Sequence, residues 1–342
     1  SGLFGMFGRF LAYICFTGLF IFTSVLIVTI GPKRIRIDAK DWEEPSNQYR
    51  PQGYDSENWN ILLDTHFHTT YSDGKMTIEE GIKWHIAMGF NAFFVTDHDT
   101  TKNYDEIMKL QEIYKDKCLV IPGVELAGAL GHLNVIGLKK QWDISKYVNF
   151  KTGEDVKAIG KDAHEQGALV TWNHYPWSYG GKIPRYSYEP PREDVMAWGV
   201  DFIESVNWDD DIDPIDRVSY DFCKQHPGIA PVVGTDVHSP EKDRLYGWTL
   251  VHTNSFSVDE LMKELHEKRT DVLFLPGGVQ YPTKYSPSLS YFLFRPFYDI
   301  GDIFVHFHQG GAIKNVDFKA VLIWVMYLIA GYLFFEIIYF FL

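Results

Sequence analysis

The sequence predicts an α/β fold in which about seven mostly parallel strands close into a TIM-like barrel, with a transmembrane helix at each end of the chain. Three observations predict it. Short apolar runs alternate with amphipathic helical patterns through the middle of the chain. Several of those runs end in a histidine or a carboxylate, as side chains gathered at the mouth of a barrel do. The long apolar stretches lie at the two ends. Composition agrees: 342 residues, 46% hydrophobic, 16% aromatic and 23% charged, exclude a disordered chain, a collagen-like one and a small disulfide scaffold. A formal charge of −13 argues against a general nucleic-acid binder, which shows a basic face to phosphates. Cys15, Cys118 and Cys223 have neither CxxC nor zinc-ribbon spacing, so thiol chemistry is not expected; one disulfide among them stays open.

Residues 1–9 form a tail. From Phe10 to Ile30 run 21 uncharged residues, long enough at 1.5 Å each for a ~30 Å hydrocarbon core. A cleaved signal peptide would show an apolar region of about 7 to 15 residues and a small-residue cleavage site; Gly31, Pro32 and Lys33 follow instead. Ala320 to Leu342 reads as a second span, its one charge, Glu336, snorkelling toward the interface. Two spans make a hairpin anchor in the lipid bilayer. Lys33, Arg34, Arg36, Lys40, Lys314 and Lys319 flank the soluble domain against Arg9 alone on the other side, which places that domain in the cytoplasm by the positive-inside rule. Residues 286–319 are aromatic but broken by Arg295, Pro296, Asp299 and Asp302, and read as an interfacial segment.

Residues 31–60 are polar and turn-rich, a tether or embellishment. The domain proper spans 61–285. Its strand candidates are Ile61 to Asp64, Asn91 to Asp97, Leu119 to Glu125, His132 to Leu138, Ala168 to Asn173, Asp201 to Asn207 and Pro231 to Asp236. Helical patterns cover Thr77 to Met88, Tyr104 to Tyr114, Gly153 to Gln166, Pro214 to Gln225 and Val258 to Lys268, and Thr77 stands three residues before Glu80 in capping-box spacing.

The chemistry sits at the strand ends. Asp64 is followed by His66 and His68, Asp97 by His98, the fifth run by His174, and the seventh ends in Asp236 with His238 after it; Glu125 closes the third. His132 beside Gly131, and Asp73 in the SDG after the first histidine pair, extend the set. One HxH places two imidazoles on one face of a strand and is commonly structural. Five such coincidences at apolar strand ends are another matter, because burying these groups costs several kcal/mol unless they are paired or coordinate metal. Metal binding is therefore expected.

The order and spacing of HFHTTYSDG, TDHD, PGVE, GHLNVIG, the Asn173-His174 pair and TDVHS resembles the PHP (polymerase and histidinol phosphatase) family, over roughly Ile61 to His252. The resemblance implies a distorted (β/α)7 barrel. It also implies two or three divalent ions held by His66, His68, Asp73, His98, Glu125, His132, His174, Asp236 and His238. By that likeness His66, His68, Glu125 and Asp236 hold the first ion, Glu125 bridges to a second on His132 and His174, and Asp73, His98 and His238 hold the third. Many relatives have His where this chain has Asp73. The fully loaded site would carry about +3 and draw in a phosphate ester, and a mixed imidazole and carboxylate set suits Zn, Mn or Fe. Asp236, Glu125 and His238 are the catalytic candidates for hydrolysis.

Substrate contacts are expected outside the metals. The stretch between His174 and Asp201 reads as a lid carrying Lys182, Arg185 and Arg192, and Arg244 is a second phosphate-clamp candidate. Glu204 and Asn207 are read as structural, His306 and His308 as non-ligands, and His85, His164, His226, His252 and His266 as surface or packing residues. The functional expectation is a membrane-anchored phosphoesterase, its substrate lipid-linked or near the membrane. The alternative is a catalytically silent scaffold subunit with membrane-protein partners or a second copy of itself. An exonuclease reading is opposed by the acidic charge.

Overall fold

All seven apolar runs form strands. The computed structural model describes residues 2–31, 35–44, 46, 48–147, 150–175, 190–207, 215–240, 244–279, 284–305 and 318–341. They divide into two units, Ile37–Lys284 and the terminal segments Ser1–Arg36 with Tyr285–Leu342. The short strands β1 (Ile35–Asp38) and β11 (Lys284–Pro287) lie where the chain passes from one unit to the other.

The larger unit contains β2 (Ile61–Asp64), β3 (Ala92–Val95), β4 (Leu119–Ala127), β5 (His132–Ile136), β6 (Leu169–Trp172), β7 (Phe202–Val206), β8 (Ala230–Val233), β9 (Leu245–Val251) and β10 (Thr270–Val279) in the order β10-β9-β2-β3-β4-β5-β6-β7-β8. Beyond its last paired residues β2 meets β8: Phe67 bridges Val237 in parallel, and Asp236 N donates to His66 O over 2.9 Å. The sheet is thereby a nearly closed barrel. Side chains alternate as a strand requires. Ile61 and Leu63 join Ala92, Phe94, Val232 and Phe202 in one apolar cluster, while Leu62, Phe93 and Val95 meet Ile82, Trp84 and Ile107 of flanking helices in another.

Five of the helices match the amphipathic patterns: α3 (Ile78–Ala87), α4 (Tyr104–Tyr114), α5 (Gly153–His164), α7 (Arg217–Gln225) and α8 (Val258–His266). α3 starts with the capping box expected of Thr77 and Glu80. Two short ones, α2 (Lys40–Glu43) and α6 (Arg192–Ala197), fall in stretches read as irregular. The polar segment before β2 is more than a tether, because Trp42 is buried in the core and Tyr49 stacks on Trp248 with ring centroids 5.4 Å apart.

The expectation of a mostly parallel sheet needs correction at β5, which runs antiparallel to both neighbours. Only a short turn separates it from β4, closed by Gly128 N donating to Gly131 O, and a parallel crossover needs a dozen residues or more. The reversal has a functional result. It brings the first residue of β5, His132, to the same end of the barrel as the last residues of its neighbours. β9 and β10, not foreseen, form an antiparallel pair along the open edge of β2.

The smaller unit holds α1 (Gly2–Ile30), α9 (Leu289–Val305) and α10 (Phe318–Phe341). Within α1 the 26 residues Gly5–Ile30, of mean hydropathy 2.3, are long and apolar enough to cross a membrane. The comparable stretch of α10 is the shorter Val325–Tyr339. α9 packs on α1 where Gly301 meets Ser24, a contact in which an added Cβ would stand 2.4 Å from the Ser24 carbonyl oxygen. Glu336, expected to snorkel, has a partner on a neighbouring helix: Arg9 grips it with two hydrogen bonds of 2.9 and 2.8 Å, and Tyr332 of its own helix donates a third of 2.7 Å.

On the larger unit, His164 Nε2 bonds Asp201 over 2.8 Å, and this bond holds the imidazole pKa above its ordinary value. A raised folded pKa stabilises fully below the unfolded value of about 6.5 and is lost as pH rises through the folded value. His164→Gln is therefore expected to lower the melting temperature of the full chain most near pH 6 and progressively less toward about pH 8.5. Thermal unfolding of both proteins across that range checks it; a pH-independent difference contradicts it.

Candidate metal centre

Period-two alternation after β2 turns His66 and His68 to one side and buries Phe67 on the other, where Phe67 N donates to Thr96 Oγ1. His98 follows β3 and is paired in parallel with Glu125 of β4. His132 opens β5, His174 follows β6, and Asp236 and His238 follow β8. Asp73 reaches in from the turn after β2. All nine residues meet at one mouth of the barrel.

Four atoms form the deepest group: His66 Nε2, His68 Nε2, Glu125 Oε2 and Asp236 Oδ1. Five of the six separations among them run from 2.9 to 3.3 Å. Donors placed about 2.0 to 2.2 Å from one shared divalent ion are spaced in just this way. The other oxygen of Glu125 serves different neighbours. Glu125 Oε1 lies 2.9 Å from His132 Nδ1 and 3.2 Å from His174 Nε2, and it accepts from Asn173 Nδ2 over 2.9 Å. One carboxylate thus faces two ligand sets. Asp73, His98 and His238 make an outer group with the far edge of the His68 ring, and here the Asp73 side chain is 52% exposed while His66 and His68 are fully buried. His98 stands between groups, its Nδ1 3.1 Å from Glu125 Oε2 and its Nε2 3.9 Å from Asp73.

The donor set fits divalent cations on this structure's own terms. Glu125 Oε2, Asp236 Oδ1 and His98 Nδ1 are buried without a hydrogen-bond partner. Such groups cost several kcal/mol in the interior, and a coordinated cation removes that cost. Electrostatics point the same way. Burial alone would lower the pKa of His68, yet Asp236 and Glu125 carry it up to about 10, and the same carboxylates with Glu204 raise His66. His98 and His132, with burial dominant, fall below the ordinary value, His98 to about 4. The carboxylates of Glu125, Asp236 and Asp73 are all held below their usual range, against burial, by the surrounding imidazoles.

Glu204, read from the sequence as structural, supports the cluster by pairing with its lining. Its Oε1 accepts from His66 Nδ1 over 2.7 Å, leaving Nε2 to face the deep group, and its Oε2 accepts from His174 N over 2.7 Å and Asn207 Nδ2 over 2.8 Å. Gly234 is required here, since a Cβ would stand 2.0 Å from Glu204 Oε1. Asp97, not singled out as a site residue, gathers Thr69 N, Thr69 Oγ1, Ser72 Oγ and Asn103 Nδ2, and so fixes the loop that carries Asp73. Its signal was its place in the TDHD motif. Three of the four non-glycine residues with positive φ among the described residues, Asp99, His174 and Asp236, belong to this mouth. Such strain, about 1–3 kcal/mol each, concentrates at functional sites.

The expected substrate cations fare differently. Arg192 is committed elsewhere: it donates to Ser219 Oγ over 2.7 Å and Asp216 Oδ2 over 3.1 Å and lies over the Tyr175 ring. Arg244 is exposed just before β9. Lys182, Arg185, His306 and His308 lie outside the described residues.

Residues 64–177, about a third of the chain, match the family model of the PHP domain. The fold is similar to that of a two-domain protein from Bacteroides vulgatus containing a predicted PHP-like metal-dependent phosphoesterase, at 22% identity and a TM-score of 0.52, over 67% of this chain and 69% of that one. An amidohydrolase from Chromobacterium violaceum is 14% identical over 62% of this chain and 98% of its own, with a TM-score of 0.39. No curated protein matches the chain.

Two outcomes test the cluster. Stripping divalent ions with a chelator is expected to lower the melting temperature, with recovery on adding Mn or Zn, since an ion at a hundred times its Kd stabilises by about 2.7 kcal/mol. Glu204→Gln, isosteric but carrying an amide donor where only acceptance is satisfied, is expected to weaken Mn binding by roughly 10- to 100-fold in calorimetric titration.

Proposed function

We propose that the larger unit is a metal-dependent phosphoesterase that hydrolyses a phosphate ester, and that the smaller unit holds it at a membrane. The observation that carries the reading is Glu125, whose two oxygens face separate groups of imidazoles. His66, His68, Glu125 and Asp236 would hold one divalent ion, Glu125, His132 and His174 a second, and Asp73, His98 and His238 a third. When bound, such ions supply Lewis acidity that lowers the pKa of water and neutralises charge developing on phosphorus-bound oxygens.

The protein's own residues do the rest. Glu204 sets the tautomer of His66, so Nε2 keeps its lone pair for the deep group. Asp236 Oδ1 faces the deep group, so the other oxygen of the same carboxylate would be the acceptor for a proton from the attacking water. His238 stands at the outer rim with its side chain 33% exposed, its Nδ1 donating to the Asp236 carbonyl oxygen, and it orders the side from which a leaving group departs. Arg244, outside the metal groups, would grip the ester's remaining oxygens. The combination of imidazole and carboxylate supports Mn, Zn or Fe.

For the anchor, we read α1 and α10 as a two-span hairpin, with α9 at the interface, and the domain on the cytoplasmic side. The pairing of Arg9 with Glu336 supports a hairpin, because it neutralises charges in two otherwise apolar segments. A substrate bearing a membrane-proximal phosphate follows from that placement.

The test is direct. Full-length protein in detergent, supplied with Mn or Zn, is expected to turn over members of a panel of phosphomonoesters and diesters, including lipid-linked ones, and His66→Ala is expected to abolish turnover. Arg244→Ala is expected to raise KM several-fold with kcat little changed, the mark of lost ground-state binding. Absence of any metal-dependent turnover, with metal analysis showing an unloaded protein, favours the silent scaffold instead.

A further inference from the structure

α3 carries a buried histidine that the proposed chemistry does not use. His85 is fully buried, its ring 3.8 Å from that of Phe93 in parallel stacking and edge-on to Phe67 and Trp84. An apolar side chain would fill this aromatic box as well. What histidine adds is its polar edge: Nδ1 lies 2.7 Å from Gly81 O, and Nε2 lies 3.0 Å from Asp64 Oδ2. Pairing a histidine with a carboxylate in the interior carries a desolvation cost that a hydrophobic pair avoids, so stability alone does not account for it.

Asp64 is the hub that His85 holds. It too is fully buried, two residues before His66 at the end of β2. Its Oδ1 accepts from His66 N over 3.1 Å and from Thr235 N over 2.9 Å, while its Oδ2 accepts from Thr235 Oγ1 over 2.5 Å. One carboxylate therefore ties together the two chain segments that bear four of the nine candidate ligands, His66 and His68 on one side and Asp236 and His238 on the other. His85 meets the same Oδ2 that Thr235 Oγ1 bonds, and so adds a further hold on the orientation of this carboxylate. His85 also touches the segment a second time, through Phe67, the residue between the two histidines.

We propose that His85 is a positioning residue for the metal centre, acting through Asp64 to hold the segments after β2 and β8 in ligating register. The proposal rests on the reading of this cluster as a metal site. It predicts that loss of the polar edge of His85 loosens metal binding while the barrel stays folded.

The experiment compares full-length wild type, His85→Phe and His85→Gln in detergent, stripped of metal. Mn titration by calorimetry is expected to show about a tenfold loss of affinity for His85→Phe, in line with outer-partner substitutions at metal sites. The visible absorption of the Co-loaded protein is expected to shift in the same variant. Gln, able to donate to Asp64, is expected to restore most of both. Should His85→Phe fail to fold, His85→Leu carries the same comparison. Wild-type affinity and an unchanged Co spectrum in the apolar variant, whatever its melting temperature, overturn the proposal and leave His85 a packing residue. If the wild type binds neither Mn nor Co, the metal reading itself fails and this inference with it.

Discussion

Five imidazole nitrogens surround the carboxylate of Glu125 within 3.2 Å, three on one oxygen and two on the other. Asn173 adds an amide hydrogen bond to the oxygen that faces His132 and His174. Nothing in the economy of a folded interior favours such a crowd for its own sake, because each polar group forfeits its hydration and the rings compete for the same acceptor. The arrangement becomes coherent once positive charge is shared among them. Most of what is unusual about the larger unit follows from that demand: the reversed β5 that delivers His132, the Asn173 amide that orients Glu125, and the glycine at 234 that lets Glu204 reach His66.

The scaffold meets the demand by combining rigid strands with a few strained residues at their ends. β2, β3 and β6 are buried throughout, so the departure point of each ligand is set by packing on both faces of the sheet. The final turn into the mouth is then made by residues in unfavourable conformations, His174 at φ 30° and Asp236 at φ 51°. Hydrogen bonds to buried carboxylates hold them there. His174 N is tied to Glu204 and the residue before Asp236 is tied to Asp64. The acids outside the ligand set are thus as much a part of the design as the ligands, which is why Asp64, Asp97 and Glu204 are all buried.

This division explains what could be read from the amino-acid order. Strands buried on both faces write themselves as continuous apolar runs, and a ligand at the end of each run is visible because it breaks that run. The supporting residues leave no such mark. Glu204 lies inside an apolar strand and His85 inside an amphipathic helix, so each looks like an isolated polar residue until the fold shows its partner 138 or 21 positions away. No ligand closes β9 or β10, so neither strand ends in a motif that marks it. Arg192 shows the opposite case: a cation in a long loop after a ligand resembles a substrate clamp, and only the fold brings Asp216 and Ser219, more than twenty positions on, against it.

The terminal helices obey the same logic with far fewer polar groups. α1 carries one formal charge, Arg9, and beyond Lys319 at its first turn α10 carries one, Glu336. Read separately, each is a defect in an apolar segment, and snorkelling is the cheapest resolution available to a lone helix. Paired, they form two parallel hydrogen bonds, with Tyr332 donating to the same carboxylate. A bidentate pair tolerates little sliding, so it selects one register between two helices whose remaining surfaces are nearly featureless hydrocarbon. Apolar length decides whether a segment is able to enter a bilayer, and the pairing of Arg9 with Glu336 fixes the register in which α1 and α10 meet.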